Sequence, residues 1–191
     1  HATDGDAQVV AAECAFAELA RTGSTTVVEL GYDFEVGGDG HIVLTEQVAD
    51  VAGKMGLRCY SGPRYRTKHY GYDGDGSVFY RDYDQRGWPR FEACVDFCER
   101  WNGRYDDRLR TMLAPGQVDT CDADILEATR KAADRTGLPV QIHAGQSPNE
   151  YQRVLATQGK TTVEYLRDTG LLGPDFIIGH GQCMTADGDM T

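Results

Sequence analysis

Two short β-branched runs in the last quarter of the chain each end on a histidine. PVQIHAGQSPNEYQ carries His143, and FIIGHGQCM, about 30 residues later, carries His180. A strand that delivers an imidazole at its C-terminal end is how barrel enzymes place metal ligands and catalytic groups. A ring nitrogen of His143 could meet zinc or iron at about 2.1 Å. His180 is followed by Gly181, and small neighbours let a metal or substrate approach the backbone closely. Gln146 and Glu150 follow His143 at +3 and +7. The chemistry in view is hydrolysis by water held on a divalent ion, with His143 and His180 as the metal-binding pair.

The elements that would carry these residues alternate along the chain. Residues 7–21 have helical apolar spacing and stop at Gly23; 24–30 (STTVVEL) is a buried-strand run bounded by glycines. A helix over 45–56 with Thr45 as its cap, a strand over 57–62, a helix over 88–103 and a strand over 108–115 follow. Then come a helix over 123–137 capped by Asp122, the strand LPVQIHAG, two helical stretches and the strand DFIIGHG. Five apolar strands separated by helices imply a parallel sheet with right-handed crossovers, and a doubly wound sheet and a (β/α)8 barrel both fit that pattern. No glycine-rich phosphate loop follows the first strand, which removes the main support for a nucleotide-binding sheet.

From Tyr65 to Gly87 the chain is rich in Gly, Asp and Tyr, the longest connection between elements. Connections of that length usually carry function. Tyr65 and its neighbouring tyrosines could wall an aromatic substrate pocket or pack on another subunit, and Arg64 could contact an anionic group. Asp119 is read as a cap of the following helix.

Composition narrows the classes. Thirty acidic against 19 basic residues give a net charge of −11, which argues against a nucleic-acid partner. No run reaches the ~20 apolar residues of a membrane span, and HATDGDAQVV lacks the basic start and apolar core of a signal peptide. Six cysteines without a CxxC spacing fit reduced thiols, so a cytoplasmic, small-molecule enzyme is expected, as a homo-oligomer.

The stretch from Gly137 to Met184 resembles the amidohydrolase superfamily, in the branch of cytosine and guanine deaminases and triazine hydrolases. The residues that carry the resemblance are His143-Ala144-Gly145-Gln146 with Glu150, then GKTTVEYLRDTGLLGP, then IIGH ending at His180. Upstream, RTGSTTVVELG is similar to the family's second barrel strand and LAPGQVDTCDADIL to its fourth. The resemblance implies an α/β fold, a partial (β/α)8 TIM-type barrel with about five βα units, strands two to six, in residues 1–191 as one segment. It implies a divalent metal, zinc first and iron second, with His143 as ligand and His180 polarising substrate and positioning the hydroxide. The reaction implied is cleavage of a C–N bond (amide, urea, carbamate-like or amidine) in a small cyclic or aromatic molecule, with Gln146, Arg64 and Tyr65 binding it.

Three departures shape the expectation. No H-x-H, the family's first-strand ligand pair, occurs; nor does a last-strand aspartate, so both barrel ends are expected to lie outside this segment. Where the family's deaminases place a proton-shuttling glutamate stands Gln146, whose amide is neither acid nor base. Gln146 is therefore expected to orient substrate, and ring deamination ranks below hydrolysis of an amide- or urea-like bond. The alternative reading is a non-catalytic barrel fragment or subunit without a functional metal.

Overall fold

A computed structural model describes residues 5–31, 40–83 and 86–184; His1 and the side chain of His41 fall outside this description. In chain order the elements are α1 (Gly5–Arg21), β1 (Thr26–Glu29), α2 (Gly40–Lys54), β2 (Arg58–Ser61) and β3 (Arg64–Tyr65). Next come β4 (Lys68–Tyr72), β5 (Val78–Asp82), α3 (Gly87–Trp101), β6 (Leu109–Thr111) and β7 (Ala114–Pro115). A 3-10 turn, Val118–Thr120, precedes α4 (Ala123–Thr136), β8 (Val140–Ala144), α5 (Pro148–Gln158), α6 (Thr162–Asp168) and β9 (Phe176–His180). The fold is α/β, and the residues group into two compact units.

The first unit, residues 1–64 and 93–113, is built on the parallel sheet β1-β2-β6. Cys59 lies between Val27 and Leu109 in register. In β2, Cys59 and Ser61 are buried and Arg58 and Tyr60 are not, the period-2 alternation of a strand with one face on the core. Helix α1 buries Gln8, Ala12 and Phe16, four residues apart and so on one face. Helix α2 buries Thr45, Val48, Ala49 and Ala52. It starts at Gly40, so Thr45 is inside the helix and not its cap. From the end of α3, Phe97 and Trp101 stack with ring centroids 5.7 Å apart.

The second unit comprises residues 65–92 and 114–191. Its parallel pair β8–β9 runs in register from Val140 opposite Phe176 to Ala144 opposite His180. Helix α4 buries Ile125, Leu126, Thr129, Ala132 and Ala133, an amphipathic stripe. Helix α5 starts where the Ser147 hydroxyl accepts the Glu150 N–H at 3.2 Å, with Pro148 in its first turn. Helix α6 opens with a reciprocal capping box between Thr161 and Glu164.

Beyond the start of α2, the strands differ from the sequence reading in two places. The strand read over 108–115 is two short pieces, β6 and β7, because the chain changes partners along it. Cys59 N bonds to Arg108 O at the start of the stretch, and Gly116 N bonds to Tyr65 O just past its end. The Tyr-rich connection contains an antiparallel hairpin, β4–β5, with Tyr70 opposite Tyr80 and Tyr72 opposite Val78. Its turn closes where the Asp75 carboxylate accepts both the N–H and the hydroxyl of Ser77.

Candidate functional site

His143 is the fourth residue of β8, and its backbone N–H donates to Gly116 O at 3.2 Å. His180 is the last residue of β9, one register step beyond the position opposite His143. Nδ1 of His143 and Nε2 of His180 are 3.1 Å apart, with ring centroids at 5.1 Å and planes tilted by 37°. Gly179, directly opposite His143, makes room for this pairing. A Cβ there would stand 3.2 Å from His143 Nδ1 and 2.6 Å from Gln141 Nε2.

The turns after the two strands are tied together. Gly181 N donates to Ala144 O at 3.0 Å, and the amides of Gln182 and Cys183 both reach Gly145 O at 2.9 Å. His180 itself has φ +74°, a left-handed conformation that costs a non-glycine residue of order 1–3 kcal/mol. Strain of that size, held in place by flanking hydrogen bonds, concentrates at functional positions. Gly145 has φ +64° and lies against the second turn; a Cβ would meet Met184 Cγ at 2.7 Å and Gly181 Cα at 3.2 Å.

Two nitrogen ligands, each about 2.1 Å from one tetrahedral or octahedral ion, stand about 3.0–3.4 Å apart. The His143–His180 separation fits that spacing, so the pair can serve as two neighbouring ligands of one divalent ion. Among the described residues, no group of three or more His, Cys, Asp or Glu side chains is gathered for a metal. The pair alone is half of a firm four-ligand site.

Gln146 follows on the turn into α5, where its Oε1 accepts from Gln117 Nε2 at 2.8 Å. Glu150 stands in the first turn of α5, where a carboxylate suits the helix dipole. The structure gives it more to do: it is 3 % exposed, and its two oxygens accept Gly145 N at 2.6 Å and Gln146 N at 3.1 Å. Burial pushes its carboxyl up to about 7, against the downward pull of those two amides. Asp119 does not cap α4. Its Oδ2 accepts the Tyr80 hydroxyl at 2.5 Å, its carboxyl is raised by burial, and Oδ1 is buried with no hydrogen-bond partner. Asp122 holds the N-cap position of α4, but its carboxylate pairs with Lys68 and not with the helix amides.

Two expected substrate contacts, Tyr65 and Arg64, have other partners within their own units. Tyr65 is fully buried, with its ring edge-on to Phe91 at 5.2 Å and its hydroxyl 2.8 Å from Thr129 Oγ1. A side chain enclosed in this way packs the core and presents nothing to a ligand. Arg64 belongs to the first unit, where its Nε donates to Gly31 O at 3.0 Å. There it also opposes the burial that raises the Glu29 carboxyl to about 7, as does the hydrogen bond from Ser61 at 3.2 Å. His143, His180 and Gln146 stand together in the second unit. Gln117 was not singled out from sequence, Asp119 was read only as a helix cap, and Tyr80 only as one of the tyrosines that could wall a pocket. The Gln-x-Asp spacing directly after β7, at the C-terminal end of a strand, was the signal available.

Parallel strands that end on facing imidazoles define an α/β fold with a histidine pair suited to a divalent ion. The chain belongs to the amidohydrolase family, whose pattern matches residues 2–191. It is 27% identical over 169 residues to a 5-methylthioadenosine/S-adenosylhomocysteine deaminase of Halothermothrix orenii, covering 88% of this chain and 33% of that protein. Among solved structures, a triazine hydrolase from Arthrobacter aurescens superposes with a TM-score of 0.76 at 18% identity, over 92% of this chain and 38% of that one. An adenosine deaminase from Xanthomonas campestris with bound zinc superposes with a TM-score of 0.68 at 22% identity, over 92% and 35%. The chain thus spans about a third of the length of these relatives. Among the described residues, no helix is long and apolar enough to cross a membrane.

Proposed function

We propose that this chain carries the histidine half of the active site of a metal-dependent hydrolase that cleaves a C–N bond in a small nitrogen-containing ring compound. The observation that carries the reading is the 3.1 Å approach of His143 Nδ1 to His180 Nε2 at the ends of neighbouring parallel strands. Support comes from the family match and from relatives named as deaminases and a triazine hydrolase. The fold reading that goes with it is strands two to six of a (β/α)8 barrel. A homo-oligomer in the cytoplasm remains part of the proposal.

His143 and His180 would hold the ion, with zinc favoured by the zinc-bound structural relative. A divalent ion held there would supply Lewis-acid chemistry, making a water more acidic and a substrate carbon more electrophilic. The remaining work falls to this chain. His180, fixed by the turn at Gly181, can aim a ring N–H at the substrate. Gln146 offers a carboxamide that orients substrate by hydrogen bonds but moves no proton. An amidine-like C–N bond, whose nitrogen is basic enough to take a proton directly, places the least demand on the missing acid.

The test is ammonia or amine release from a panel of amides, ureas and amino-substituted nitrogen rings, with zinc supplied. Release that falls at least about a hundredfold in both His143→Asn and His180→Asn is the expected outcome. Release that survives both substitutions would overturn the assignment. A histidine pair that only bonds to itself is the second reading, favoured by the absence of a third ligand among the described residues.

A further inference from the structure

The β4–β5 hairpin, which the proposed reaction has not used, closes over a pocket of about 160 Å³ that Gln146 also lines. One wall is aromatic: Tyr70 and Tyr72 from β4 and Tyr80 from β5. The rings meet edge-on or tilted, with Tyr70 6.1 Å from both Tyr72 and Tyr80. The opposite wall is polar, with Gln117, Asp119, Gln146 and Glu150 among its residues. Among the described residues no lysine or arginine lines this space, though the charges of Arg153 and Arg66 reach Asp119 from nearby. Arg153 stacks on the Tyr80 ring at 4.4 Å but faces the smaller neighbouring pocket instead.

These features select by shape and by charge. A cavity near 150 Å³ holds a single six-membered ring. Tyrosine faces attract flat cations and the N–H edges of other rings. Glu150 spends its two oxygens on the backbone amides of Gly145 and Gln146. Asp119 keeps one oxygen on the Tyr80 hydroxyl, while Oδ1 lacks a hydrogen-bond partner in the structure. A donor-rich ligand that reached Asp119 would relieve that unmet acceptor.

We propose that this pocket is the specificity subsite of the enzyme and takes a single planar ring bearing a cationic or N–H-rich group, held between the hairpin tyrosines and the Asp119 carboxylate. The inference rests on the hydrolase reading for its role, since Gln146 belongs both to this pocket and to the turn that follows His143. Its binding chemistry stands independently of catalysis. The hairpin decides which ring enters, and the histidine pair decides what happens to it.

The probes are benzamidine, benzamide and benzoate, which share a ring and differ in charge and donors. Binding is followed by calorimetry and by tyrosine fluorescence, with and without zinc. Benzamidine should bind about tenfold or more tightly than benzoate, with benzamide between them. Asp119→Asn and the exposed-ring change Tyr72→Ala should each weaken benzamidine about tenfold, and Tyr72 is 66 % exposed, so its loss leaves the fold intact. Equal binding of benzoate, or benzamidine binding unchanged in Tyr72→Ala, overturns the subsite. Selective benzamidine binding without ammonia release from any substrate keeps the subsite and removes the hydrolase reading. Release from nitrogen rings with no benzamidine selectivity does the reverse.

Discussion

Glu150 shows how a residue's setting can outweigh its type. Its carboxylate clasps the amides of Gly145 and Gln146, and so fixes the turn that leaves His143. Burial nevertheless raises it to about 7. A carboxyl with a folded-state value above its unfolded 4.5 binds more protons folded than unfolded between those limits. Its contribution to stability is therefore fullest below about pH 4.5 and lost as pH rises toward 7, the reverse of a salt-bridged carboxylate. Denaturant unfolding should show this fall across that window, and Glu150→Gln should flatten it; Glu29, also raised to about 7, keeps the remainder. Gly145→Ala should cost about 1–3 kcal/mol in the same assay, because φ is +64° and the methyl would strike Met184. At this scale the sequence was half legible. Strand-end histidines announce themselves by their apolar runs, as His143 and His180 did. Burial of Glu150 and Asp119 depends on what folds over them, and Tyr80 comes from a hairpin almost 40 residues before Asp119.

Among the elements, α5 links the turn to the helix behind it. The Ser147 hydroxyl caps Glu150 N at 3.2 Å, and the same residue's carboxylate turns back on the preceding loop. Ser147→Ala should destabilise by about 1 kcal/mol, read as a shift in the unfolding midpoint. Helices and parallel strands were readable because apolar spacing and glycine stops mark them, as in 123–137 and 138–145. The β4–β5 hairpin was not, because glycines, aspartates and tyrosines mask its alternation. Its pairing comes from cross-strand tyrosines and from the Asp75–Ser77 turn. The split between β6 and β7 was hidden for another reason: after Thr111 the run MLAP is apolar, and only hydrogen-bond partners reveal where the strand breaks.

At the scale of the whole molecule, the family assignment, the α/β fold and the histidine pair agree with one another. The net charge of −11 surrounds the chain with a negative field, which under the proposed function favours neutral or cationic small molecules over anionic ones. The central claim is that His143 and His180 share one divalent ion. Zinc binding by equilibrium dialysis with elemental analysis tests it most directly, comparing the chain with His143→Ala and His180→Ala. At saturating zinc the account predicts about one ion per chain, held weakly because the pair is half of a four-ligand site, with affinity lowered at least about tenfold in each variant. Zinc held equally by all three proteins, or by none of them, would contradict it.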